Sequence, residues 1–156
     1  ISKIFGEEIL DPSGNLDRKK LARIVFENKK KKIELEEILH PRVFESEKLK
    51  YESIRKKHPK ALVIVDAALL IESENYKNMD KVVVVDSDEK TRINRIQARN
   101  KMSLDEVVAR MKNQMPGEEK KQYADFILEN SLDKDKLREQ VKDLNTKLSL
   151  LAVENI

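Results

Sequence analysis

The chain has 156 residues, 39% charged and 39% hydrophobic, and its 32 basic against 29 acidic side chains leave a formal charge of +3. That is the size of one domain, or of one domain with an inserted arm, and so slight a net charge gives no argument for nucleic-acid binding. The absence of cysteine excludes disulfides and thiolate metal sites, and no apolar run nears the roughly 18 residues of a membrane span. A cytoplasmic location with no membrane partner is the resulting expectation.

Ile1, Ile4 and Phe5 stand at helical spacing until Gly6 breaks the pattern, and Asp11-Pro12-Ser13-Gly14-Asn15 is turn chemistry. The chain opens in mid-pattern and without methionine, so we expect it to be part of a longer product. Asp17 is expected to cap a helix holding Leu21, Ile24 and Val25 on one face. Residues 31–39 form another short helical pattern. His40-Pro41 predicts a boundary there, because the residue before proline is pushed out of the helical region. Pro41 would then open a new helix over 41–57, with Phe44, Tyr51 and Ile54 facing inward.

Leu62-Val63-Ile64-Val65 is an unbroken apolar run that ends in Asp66. It reads as a strand buried on both faces, as in a parallel sheet. Asp66 would stand at its carboxyl end, where ligands gather in open α/β sheets; the alternative is an aspartate that caps the next helix. A second apolar patch follows and closes on Glu72, and residues 73–80 are polar and loop-like. Residues 81–86 (Lys-Val-Val-Val-Val-Asp) predict a second buried strand. Ser87 is expected to cap a helix over 88–100 whose exposed face includes Arg92, Arg95 and Arg99. Ser103 with Glu106 is a capping box opening a helix with Val107, Met111 and Met115 in line, stopped by Pro116-Gly117. Residues 124–128 predict a third strand, followed by Asn130-Ser131. Leu137, Val141, Leu144, Leu148 and Leu151 then predict an amphipathic helix packed on the sheet. The succession is α/β: a mostly parallel sheet flanked by helices, with residues 1–57 as an inserted helical arm.

Arg95 and Arg99 lie four apart, just before a break and a second helix carrying Arg110. A helix–loop–helix presenting guanidinium groups at its bend suits a lid over a polyphosphate; the alternative is arginines paired with surface carboxylates. Asp66 has the placement of an acid that holds a Mg²⁺-bound water. Asn130-Ser131 suits a base-binding loop or an ordinary turn, and His40 a ligand hydrogen bond or a cap before Pro41. The tract Lys29-Lys30-Lys31-Lys32 is read as a solvated helix face rather than a nucleic-acid contact. None of Gly6, Gly14 and Gly117 heads a G-x-x-x-x-G-K-[ST] phosphate cradle.

Taken in order, these pieces resemble the dephospho-coenzyme A kinases, a family of P-loop kinases. Phe5-Gly6 with Ile9-Leu10, Gly14-Asn15-Leu16-Asp17-Arg18, Leu21 and Val25-Phe26 are similar to the family's acceptor-side opening. Leu35-Glu36-Glu37-Ile38-Leu39-His40-Pro41 resembles its LE.I.HP segment. Residues 65–72, from Val65-Asp66 through Leu69-Leu70 to Glu72, resemble its VD.PLL.E, with Ala68 in place of the usual proline. Arg95 and Arg99 match the lid arginines, and Gln114-Met115-Pro116, Lys120, Ala124-Asp125 and Asn130-Ser131 match the Q.P…K…AD…N series.

The resemblance implies ATP-dependent phosphorylation of the ribose 3′-hydroxyl of dephospho-CoA, with ATP and Mg²⁺ as cofactors. It assigns Asp66, Arg95 and Arg99 to catalysis, Asp66 to the metal through water, and Arg95, Arg99, Arg110, Asn130 and Ser131 to ATP. It assigns Asp17, Arg18, His40, Leu69 and Leu70 to dephospho-CoA. The implied division is an acceptor-binding arm over 1–60, a core over 61–91 and 120–156, and a lid over 92–119. In the family the P-loop and the segment carrying the general base lie upstream of Ile1. The family's first strand also lies between the strands matched by residues 62–65 and 81–86. Unpaired edges there, and inactivity of these residues taken alone, are therefore expected. The alternatives are another nucleotide kinase of the superfamily, or a non-catalytic binding fragment.

Overall fold

A computed structural model describes residues 1–154, which form two compact units, residues 1–59 and 60–154. The first unit is helical. Helix α1 (Ser2–Phe5) ends at Gly6, whose φ of 82° lies in the region that favours glycine, so the chain turns there at little cost. The Asp11 carboxylate accepts from the N–H groups of Ser13 and Asn15 at 2.9 Å, which closes the expected turn. Asp17 then caps α2 (Arg18–Glu27) by accepting from the Lys19 and Lys20 N–H groups. Phe5, Ile9 and Leu21 make the core of this unit, surrounded by Leu16, Ile24, Leu35 and Ile38.

The boundary predicted at His40-Pro41 does not form. A single helix, α3 (Lys29–Lys57), runs through Pro41 and ends at His58. Proline deprives the Glu37 carbonyl of its helical donor, but Glu37 and Pro41 are both exposed, so water replaces the lost bond. Arg55, Lys56 and Lys57 in the last turn favour the negative end of the helix dipole.

The second unit is built on two parallel strands, β1 (Val83–Asp86) and β2 (Phe126–Glu129), paired in the register Val83↔Phe126 to Asp86↔Glu129. Residues 62–65, predicted as a strand buried on both faces, join no strand ladder among the described residues, and Ile64 is 79% exposed. A strand exists only through its neighbours' backbone groups, and no described segment pairs with this one. For the same reason 81–86 is buried on one face: Val82 and Val84 are inside while Val85 is exposed. Asp125 fastens the start of the pair, accepting from the Val82 N–H at 2.8 Å and from Lys81 at 2.9 Å.

Four further helices follow: α4 (Glu89–Asn100), α5 (Leu104–Lys112), α6 (Gly117–Lys121) and α7 (Lys134–Glu154). The cap of α4 is Asp88, which accepts from the Thr91 N–H, not Ser87 as expected. The capping box at Ser103 and Glu106 is complete in both directions. Helix α5 stops at Lys112, so Met115 leaves the line of Val107 and Met111; its N–H is donated to Glu72 instead. Gln140 of α7 exchanges two hydrogen bonds of 2.9 Å with the Glu129 backbone and so satisfies groups at the open edge of β2. No helix is long and apolar enough to cross a membrane among the described residues.

Candidate functional site

Pairing of β1 with β2 brings the two carboxyl ends together: the Asn130 N–H continues the ladder onto the Asp86 carbonyl at 2.7 Å. Ser131 Oγ accepts from the Asp88 N–H at 2.7 Å, which sets the start of α4 beside the same strand ends. Crevices at this place are the usual ligand sites of open parallel sheets. A groove of about 330 Å³ opens there, lined by Ser87, Arg92, Arg95, Ile96, Arg99 and Asn130. The spacing 92, 95, 99 places three guanidinium groups on one stripe of α4. Arg95 donates to the Asn130 carbonyl at 2.5 Å, and Arg99 Nε to Asn100 Oδ1 at 3.0 Å.

Arg92, expected on the exposed face, is half-buried, and its Nε is buried without a hydrogen-bond partner among the described residues. The cause is α6. A Cβ at Gly117 would stand 3.1 Å from Asp86 Oδ1 and 3.8 Å from the Arg92 guanidinium, so glycine lets α6 press against both. Lys121 of α6 pairs with Asp86 at 2.7 Å, and the Asp86 side chain is only 12% exposed. The hydrogen bond from Lys121 holds the Asp86 carboxyl below its usual 3.8, against the upward push of burial, and in return raises the Lys121 ammonium. A carboxyl held low stabilises the fold fully above its ordinary value and loses that contribution as pH falls through the lowered one. Asp86→Asn is therefore expected to flatten the acid side of a stability profile taken by urea unfolding between about pH 2 and pH 5. An unaltered acid side would rule Asp86 out as its source.

The groove unites Arg95, Arg99 and Asn130 of the expected residues, with Ser131 held at its edge, and adds Arg92, Ser87 and Ile96. Arg110 is exposed on α5 and does not line it. Asp66 is exposed, with no hydrogen bond or ion pair among the described residues, and Leu69 and Leu70 follow it outside the groove. Those same residues hold no cluster of three or more metal-ligating side chains. In the first unit Asp17 Oδ1 is committed to the cap of α2, Arg18 is exposed, and His40 stacks on Phe44 at 5.7 Å between ring centres.

Sequence reasoning had named Arg92 only as one of an exposed row. Its spacing with Arg95 and Arg99 was visible, but its burial by α6 was not. It also missed the meeting of Glu72 with Lys120, 2.8 Å apart.

The family model for dephospho-CoA kinase matches residues 1–136. The dephospho-CoA kinase of Leptospira interrogans is 40% identical over 146 residues, which cover 94% of this chain and 69% of that protein. Among solved structures, TT1252 from Thermus thermophilus matches with a TM-score of 0.77 at 33% identity, over 94% of this chain and 74% of that one. The dephospho-CoA kinase from Campylobacter jejuni matches with a TM-score of 0.63 at 34% identity, over 95% and 75%. The order of motifs, the parallel sheet with its helices and these matches lead to one assignment: the chain belongs to the dephospho-CoA kinase family, with the P-loop NTPase fold.

Proposed function

We propose that the protein phosphorylates the ribose 3′-hydroxyl of dephospho-CoA with ATP to give coenzyme A, the reaction its family is named for. The observation that carries the reading is the arginine stripe at the carboxyl ends of β1 and β2, in a chain of this family. Three guanidinium groups over one groove fit a polyanion, because arginine offers planar forks to phosphate oxygens. Arg95 and Arg99, with Arg92 beside them and Arg110 on the second helix, bind the triphosphate as a lid over 92–119. Asn130 and Ser131 face the base.

The Asp66 carboxylate, unpaired among the described residues, suits a metal ion held mostly by phosphates and water, which is the habit of Mg²⁺. When bound, Mg²⁺ neutralises charge on the phosphates. Arg18 and His40, with Asp17 capping the helix that Arg18 begins, are the proposed donors to dephospho-CoA. Leu69 and Leu70 are the proposed apolar contacts of the acceptor. The hydroxyl oxygen forms the new bond to the γ-phosphorus as the bond to ADP breaks. The protein contributes position and charge neutralisation.

The test is ADP release by the full-length gene product with dephospho-CoA, AMP and nucleosides as acceptors. Turnover with dephospho-CoA alone is expected. An inert dephospho-CoA beside a working alternative acceptor overturns the reading.

A further inference from the structure

We propose that Glu72 and Lys120 are a positioning pair that holds the loop after Asp66 against the segment joining α5 to α6. The proposal rests on the kinase reading above. Glu72 Oε1 receives Lys120 Nζ at 2.8 Å and the Met115 N–H at 3.0 Å. The same ammonium donates to the Ala68 carbonyl at 3.0 Å. One ion pair thus grips the backbone at two places far apart in sequence. The first is two residues past Asp66 and next to Leu69-Leu70. The second lies just after the arginine-bearing helices α4 and α5.

The pair is more than a surface ion pair. Lys120 and Glu72 are 17% and 22% exposed, and Glu72 Oε2 is buried with no partner among the described residues. Burial pushes the Glu72 carboxyl up, but the bonds from Lys120 and Met115 outweigh it and hold the group below its usual value. No other cation is paired with Glu72 among the described residues, so removing Lys120 leaves a part-buried charge uncompensated and frees the Ala68 carbonyl. Among the described residues no strand ladder holds the segment before Asp66, and the Ala68 carbonyl is fixed by this tether. Neither residue lines the arginine groove.

Lys120→Met, Lys120→Arg and Glu72→Gln in the full-length gene product test the pair. Lys120→Met is expected to lower kcat by about tenfold to a hundredfold, the scale set by small misplacements of reacting groups. It should also raise KM for dephospho-CoA and leave KM for ATP unchanged. Lys120→Arg, which keeps the charge, should recover most of the loss. Glu72→Gln, which keeps an acceptor for Met115, should resemble Lys120→Met. Hydrogen exchange should quicken at residues 66–70 in Lys120→Met while β1 and β2 stay protected. Both KM values unchanged, with arginine no better than methionine, would reduce the pair to a structural contact. Unaltered exchange at 66–70 would overturn the tether whatever the substrate proves to be. An inert dephospho-CoA in the unmutated protein would instead count against the kinase reading.

Discussion

Arg99→Ala is expected to lower kcat by about a hundredfold to a thousandfold, the usual cost of removing one positioned donor from a developing negative charge. Arg99 lines the groove, and among the described residues its Nε alone makes a hydrogen bond, to Asn100, which leaves its terminal nitrogens uncommitted. Arg95 makes a poorer probe, because it also fastens the Asn130 carbonyl and its loss would disturb the strand end. Steady-state kinetics of the full-length gene product with dephospho-CoA would measure the effect. Arg138→Ala serves as the comparison, since Arg138 lies outside the groove in an exposed pair with Asp135 and its loss should cost little. An unchanged kcat in Arg99→Ala would remove Arg99 from the lid role.

The second large effect is on stability. Ile9 is fully buried at 0% exposure in a core whose other buried members are Phe5 and Leu21. Ile9→Ala is expected to cost about 2–5 kcal/mol, from lost burial plus the cavity left behind. That is a large share of the roughly 5–15 kcal/mol that holds a typical domain. Ile9 also carries the carbonyl that accepts from the Asp17 N–H at 2.8 Å, so collapse around the cavity would disturb the start of α2. Hydrogen exchange of the intact protein should show α2 losing protection. Phe26→Ala is the control: Phe26 is 63% exposed, and its truncation should stay within about 0.5 kcal/mol. Equal losses in the two variants would mean that the core of the first unit is not where the burial indicates.

Local devices were legible because each closes within a few residues. The Asp17 cap, the Asp11 turn and the Ser103–Glu106 box depend on hydrogen bonds spanning two to four positions, and all three formed as expected. Legibility failed where a local preference met a distant circumstance. Pro41 promised a helix boundary, yet α3 continues through it where Glu37 and Pro41 are both exposed to solvent. Residues 62–65 carried the pattern of a central strand, yet a strand requires a partner's backbone and finds none among the described residues. Ser87 looked like a cap, but Asp88 one position later accepts from the Thr91 N–H, and Ser131, just past β2, takes the Asp88 N–H.

By itself, then, the sequence determined the starts of α2 and α5, the α/β alternation and the ordered set of motifs that leads to the kinase family, because capping and periodicity are properties of contiguous residues. Only the tertiary structure decided which charges meet. Glu72 and the Met115 N–H lie 43 positions apart, and their bond exists because the chain crosses itself there. Arg92 became a half-buried member of the arginine stripe because Gly117 let α6 close on it. Burial and pairing of charge depend on which segments pack together, and no window along the chain contains that information.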